Sequence, residues 1–206
     1  MQMMTSKPTN RRSGLALIAA ALCAPGWLRA QTAAVTVEGF SFEPLVQLGQ
    51  TELVLNGAGL RAVAWIKGYA AALYLVRKAG TPAQVLALPG PKRLQMRMLL
   101  EVPAAEFVKA IDTGIARNTP AAELPALRER IQRFDAQVAA AGTVKKGDLV
   151  DLDFVPAQGM SFALNGIARG APIPGDDFYA AVLRIFIGDK PVDKGLKAGL
   201  LGGRKT

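Results

Sequence analysis

Histidine is missing from all 206 residues, and cysteine occurs once, as Cys23. Without histidine there is no serine–histidine or cysteine–histidine nucleophile pair, no histidine general base and no zinc site built on imidazole. A single cysteine makes neither an intrachain disulfide nor a thiolate metal cluster. Chemistry is left to Arg, Lys, Tyr, the carboxylates and the backbone, and neither a metal nor a cofactor is expected. The apolar stretch Gly14 to Ala24 is too short to span a bilayer. No internal repeat or low-complexity linker interrupts the chain.

What is present at the start reads as an export signal. Lys7, Arg11 and Arg12 form a positive segment before the apolar stretch, and Leu28-Arg29-Ala30 offers a small-residue cleavage site. Residues 1–30 are therefore expected to be removed, leaving a periplasmic chain that begins near Gln31. The pair Arg11-Arg12 before Ser13 suits the twin-arginine route, and paired arginines also suit the general one. Ala20-Ala21-Leu22 ahead of Cys23 does not match a lipoprotein signal. Because Cys23 lies in the signal, the remaining residues, 31–206, must be stabilised by core burial without disulfides.

The net charge of +9 overstates the basicity of that remainder. Taking Lys7, Arg11, Arg12 and Arg29 from the 25 basic residues leaves 21 against 16 acidic ones. They are scattered, with no basic stripe interleaved with aromatics, so nucleic-acid binding has little support. Lys92, Arg93 and Arg97 read as a solvated strand face. Asp148, Asp151 and Asp153 read the same way, and Asp176-Asp177 as helix capping.

The order of elements points to an α+β fold. Strands are expected over 34–39, 49–56, 62–76, 92–102, 148–155 and 160–164, the last turning at Asn165-Gly166 into Ile167. Helices are expected from Thr81-Pro82 to near Pro89, from Pro103 to Asn118, over 121–141 and over 178–187, with a short one over 195–201. Leu124, Leu127, Ile131, Phe134 and Val138 recur at helical spacing as a core stripe. Trp65 reads as core. This is one domain, an antiparallel sheet with helices on one face.

Arg61 is the candidate site residue. It follows Gly57-Ala58-Gly59, sits among alanines and leucines and precedes Tyr69 and Tyr74. A guanidinium in apolar surroundings needs solvent, a partner acid or an anionic ligand. Glu52 and Asp151 are the acids that would make it merely structural. On a straight strand Tyr74 would lie roughly 43 Å from Arg61 and Tyr69 about 26 Å. The three share a site only if the chain turns back, and Gly57, Gly59 and Gly68 are where a bulge or bend is expected.

The stretches Asn56-Gly57-Ala58-Gly59-Leu60-Arg61, Lys67-Gly68-Tyr69 and Ala72-Leu73-Tyr74-Leu75 resemble the bacterial chalcone isomerase-like proteins. So do Lys146-Gly147-Asp148, Gly159 to Gly166, Ile173-Pro174-Gly175, Ile185-Phe186-Ile187-Gly188 and the closing Leu196 to Gly202. The resemblance runs from about Val35 to Gly202. It implies an open-faced β-sandwich, a large antiparallel sheet covered on one face by helices, with a ligand cleft between the layers. Members of that fold either close chalcones to flavanones or bind fatty acids through an arginine and a tyrosine. By resemblance Arg61 is the shared arginine, Tyr74 falls at the tyrosine of the fatty-acid binders, and Tyr69 stands where the isomerases have a threonine.

The isomerases also carry a tyrosine and an asparagine on their first long helix. Here Glu106-Phe107 through Asp112-Thr113-Gly114 supplies neither. The expectation is a non-catalytic protein that binds a small amphipathic carboxylate, such as a fatty acid, through Arg61 with Tyr74 and Tyr69. An intramolecular lyase acting on a chalcone-like enone, with Arg61 as electrophile, is the alternative. A third possibility is an accessory protein whose cleft receives a segment of a protein partner.

Overall fold

The computed structural model of the chain describes residue 2 and residues 33–203. The chain divides into two compact units, residues 1–30 and 31–206. The expected export signal, its cleavage site and Cys23 lie outside the described residues. No helix among the described residues is long and apolar enough to cross a membrane.

Seven strands form one antiparallel sheet in sequence order: β3 (Leu45–Leu48), β4 (Thr51–Val63), β5 (Ile66–Leu75), β6 (Lys92–Met98), β7 (Leu149–Val155), β8 (Gly159–Leu164) and β9 (Ile167–Ala168). β1 (Val35–Val37) and β2 (Phe40–Phe42) make a separate hairpin. Helix α1 (Pro82–Ala87) joins β5 to β6, while α2 (Ala104–Asn118) and α3 (Leu124–Ala141) join β6 to β7. Helices α4 (Asp176–Ile187) and α5 (Lys194–Leu200) close the chain. The sheet is thus a meander with helices packed on one side, the α+β arrangement expected from the element order.

Alternation along the strands sorts the residues into two layers. Leu94, Met96 and Met98 of β6 with Val150, Leu152 and Phe154 of β7 pack beneath the helices, together with Phe134 of α3 and Phe178 of α4. Phe134 meets Phe162 and Phe178 edge-on, at centroid separations of 6.0 and 6.1 Å. On the opposite face Phe42, Leu53, Leu55, Ala70, Ala72 and Tyr74 form a smaller cluster beneath the β1–β2 hairpin.

Strand β4 owes its two-faced character to a bulge. Leu55 pairs with Tyr74 and Gly57 with Leu73, so Asn56 is the extra residue. Its buried side chain is fully engaged. Nδ2 donates to Ala79 O at 3.0 Å and to Leu200 O at 2.7 Å, and Oδ1 accepts from Ala79 N at 2.7 Å. Lys78 Nζ donates to the carbonyls of Leu55 and Asn56 that the bulge takes out of the ladder.

Past the bulge, Gly57 and Gly59 face α5 so closely that their missing side chains decide the contact. A Cβ on Gly57 would overlap Gly199 O, and one on Gly59 would lie 3.2 Å from Leu196 Cα. Gly199 reciprocates, since its own Cβ would fall 2.8 Å from Gly59 Cα. In this motif the glycines serve helix-to-strand contact rather than bending.

Several local expectations are corrected. The segment 62–76 is not one strand: Ala64-Trp65 turns it back, Val63 pairs with Ile66, and Ala64 adopts a positive φ of 52°. Trp65 is 87 % exposed at that tip, not core. Strands β2 and β3 were not anticipated, and β6 stops at Met98 before 99–102.

The acidic residues of β7 are not a solvated face. Asp151 and Asp153 are buried, and Arg93 clasps Asp153 through two bonds of 2.6 Å while Gln95 donates to Asp151 at 2.9 Å. Lys92 is buried as well, its ammonium 5.4 Å from the centre of the Phe154 ring. The N-cap of α4 is Gly175, with no side-chain cap bond from Asp176 or Asp177, and Asp177 binds Arg130 at 2.5 and 2.7 Å.

Two outcomes follow for stability. Asn56→Ala strands three buried backbone groups and should lower unfolding free energy by about 3 kcal/mol, read as a lower urea midpoint. Asp135 Oδ1 is buried with no hydrogen-bond partner, and burial, with Asp112 nearby, raises the carboxyl to about 6. A raised carboxyl favours the folded state while protonated, so this contribution falls as pH rises from about 4 through 6. Asp135→Asn should therefore melt above the wild type at pH 8, with the difference vanishing near pH 4.

Candidate functional site

Arg61 and Tyr69 meet because the chain turns back at Ala64-Trp65. They are direct partners across β4 and β5, and cross-strand partners share a face of the sheet. After this pair Gly68 is the extra residue on β5, since Ala62 pairs with Lys67. The bulge falls at one of the three glycines where a bend was expected. Gly68 is also where the guanidinium needs room: a Cβ there would sit 3.1 Å from Arg61 Nη1.

The two side chains border a cavity of about 280 Å³ between the sheet and the helices. Its sheet wall is Tyr69, Met96 and Met98; its helical wall is Phe107, Ala110 and Ile111 of α2 with Ile185 and Phe186 of α4. Gly114 lets α2 lie against α4, because a Cβ there would come 2.7 Å from Ile185 Cγ2. Arg61 and Glu106 also line a second, more polar hollow of about 320 Å³ with Lys109, Arg117 and Lys190. Arg61 therefore stands where an apolar cavity meets a basic mouth.

Within the described residues the Arg61 guanidinium makes no hydrogen bond and no ion pair. Its Cζ lies 5.8 Å from the centre of the Tyr69 ring, a cation–π contact that leaves the N–H groups available. The acids that would have made it structural are elsewhere: Asp151 binds Gln95, and Glu52 lies opposite Gln47 near the far end of β4. Asp193 approaches this corner, but its Oδ1 caps α5 through Leu196 N at 2.8 Å and its Oδ2 accepts from Ala62 N at 3.2 Å. Among the described residues it forms no ion pair with Arg61.

Tyr69 is held protonated. Burial pushes its hydroxyl well above the usual phenol range, the Arg61 charge pulls the other way, and the Asp193 charge adds to the rise. At neutral pH it is a donor, and none of the described residues accepts from it. A planar five-donor cation and a neutral phenol at the lip of an apolar cavity are the complement of a carboxylate carrying an apolar tail.

Tyr74 does not join them. It lies five residues beyond Tyr69 on an unbulged stretch, so it faces the other layer, fully buried with Phe42, Leu53 and Leu55. Its hydroxyl has no hydrogen-bond partner, and burial, with the charge of Glu43, pushes it up to about 12. The helical walls carried a signal in the sequence, since Phe107 and Ile111 belong to the apolar face of α2. That periodicity reads as core whether the face meets a packed neighbour or a cavity.

Known proteins bear out the architecture. The fold is similar to the crystal structure of a fatty-acid-binding protein from Arabidopsis thaliana, with a TM-score of 0.63 over 82 % of this chain and 96 % of that one, at 16 % identity. The family model described as chalcone isomerase-like matches residues 34–202. The chain belongs to the chalcone isomerase-like family. No curated protein matches it in sequence.

The two tyrosines separate in experiment. Tyr74→Phe removes a hydroxyl that has no partner, so stability should hold or rise by about 1 kcal/mol, measured by urea unfolding, with ligand retention unchanged. Tyr69→Phe should leave stability near wild type and weaken retention of a bound carboxylate.

Proposed function

We propose that this protein binds a small amphipathic carboxylate, of which a fatty acid is the leading example, in the cavity between sheet and helices. The observation that carries the reading is the Arg61 guanidinium, without an ion pair, at the mouth of an apolar cavity. The carboxylate would take two parallel N–H bonds from Arg61 and a third bond from the Tyr69 hydroxyl, while the tail lies against Met96, Met98 and Phe107. The Arabidopsis neighbour, described as a fatty-acid-binding protein, supports the same use of the fold.

Binding without turnover fits the walls of the cavity. An enone isomerase must polarise a ketone and guide a phenolate, which calls for several polar groups. Helix α2 turns Phe107, Ala110 and Ile111 to the space, and Glu106 is its one polar contribution. The expected export signal would place the carrier in the periplasm, and the intact mass of the processed protein from the cell envelope tests that cleavage.

Organic extraction and mass spectrometry of the purified protein test the binding, with Arg61→Ala alongside. The expected result is a stoichiometric carboxylate in the wild type, depleted at least about tenfold in the variant, as the loss of a charge-assisted bidentate pair implies. An empty wild type that also fails to bind added fatty acid in calorimetry would overturn the reading.

A further inference from the structure

The turn that brings Tyr69 beneath Arg61 ends in a feature the ligand site does not use. Val63, Trp65 and Ile66 form the tip of the β4–β5 hairpin and are 55, 87 and 54 % exposed. Monomeric proteins seldom expose a contiguous apolar run such as Val63-Ala64-Trp65-Ile66 at a hairpin tip. The tip begins two residues from Arg61. Arg61 also borders the basic hollow ringed by the exposed Lys109, Arg117 and Lys190, with Glu106 as the acid among them. Lys67 at the base of the tip is neutralised by Glu38 at 2.6 Å, so the basic character comes from the hollow.

We propose that the hairpin tip and this basic rim form a docking face for an anionic lipid bilayer. Tryptophan and β-branched residues suit the boundary between headgroups and acyl chains. Lysines and an arginine beside them complement phosphatidylglycerol-type headgroups. In that pose the cavity mouth at Arg61 faces the membrane, where an amphipathic carboxylate resides, so the tail need not cross water. This deepens the carboxylate-carrier reading and rests on it for the identity of the cargo. A second copy of the chain would satisfy the apolar tip but would set two basic rims against each other.

The test uses Trp65 fluorescence. The chain contains two tryptophans, so Trp27→Phe in the full-length protein leaves Trp65 as the sole reporter. With phosphatidylcholine–phosphatidylglycerol vesicles its emission should shift to the blue and be quenched by brominated acyl chains, and far less so with phosphatidylcholine alone. Combining Lys109→Glu, Arg117→Glu and Lys190→Glu should weaken vesicle partition by at least about tenfold.

Trp65 emission that ignores anionic vesicles overturns the proposal, even where the protein sediments with them through its first thirty residues. Quenching that survives the charge reversals overturns it too, as does a blue shift that grows with protein concentration in the absence of lipid. Ligand extraction from Val63→Ser/Ile66→Ser, which keeps Trp65 as the reporter, separates the two readings. Retained carboxylate with lost vesicle response supports docking and carriage together. Vesicle response in a protein that never holds a carboxylate supports docking and sinks the carrier.

Discussion

Between Leu55 and Gly57 strand β4 carries one residue more than the strand beside it, and the side chain of Asn56 holds that surplus in place by bonding Ala79 and Leu200. The consequence runs along the strand. Leu53 and Leu55 face the β1–β2 layer, whereas Gly57, Gly59 and Arg61, at the same odd spacing, face the helices. Without the bulge those residues would share the face of Leu55, because alternation has a period of two. The guanidinium reaches the cavity because Asn56 resets that count.

The same stretch joins stability to function at close range. Gly57 and Gly59 admit α5 against the strand, and Asp193 ties the start of that helix to Ala62 N beside Arg61. The backbone around the cation is thereby fixed from both sides, while its own N–H groups stay uncommitted. Such a residue is costly to maintain near apolar surface unless solvent or a ligand meets it. The open basic mouth supplies the first and the cavity admits the second.

On the far face of the sheet polar groups behave differently. Arg93, Gln95, Asp151 and Asp153 satisfy one another's hydrogen bonds across β6 and β7, with burial driving Asp151 upward and the Arg93 bonds to Asp153 driving the arginine further up. That network has its partners and is structural. Among the described residues the Arg61 guanidinium has no hydrogen-bonded or ion-paired partner, so what separates it from Arg93 is partners rather than burial.

Local periodicity and one cation in apolar company were enough to read the α+β class, the order of the main helices and strands, the apolar stripe of α3 and the candidacy of Arg61. The family motifs also located the glycines. Pairing, by contrast, became visible only in the folded chain. The turn at Ala64-Trp65 has no glycine, asparagine or proline to announce it, so 62–76 reads as one strand and Trp65 as core. Tyr69 was chosen over Tyr74 by strand parity and by a bulge at Asn56, and acids that look solvated on β7 found Arg93 sixty residues away in sequence. Alternation along a strand states which residues share a face, but not which face meets a cavity, and a bulge held by residues far along the chain is written in no local pattern.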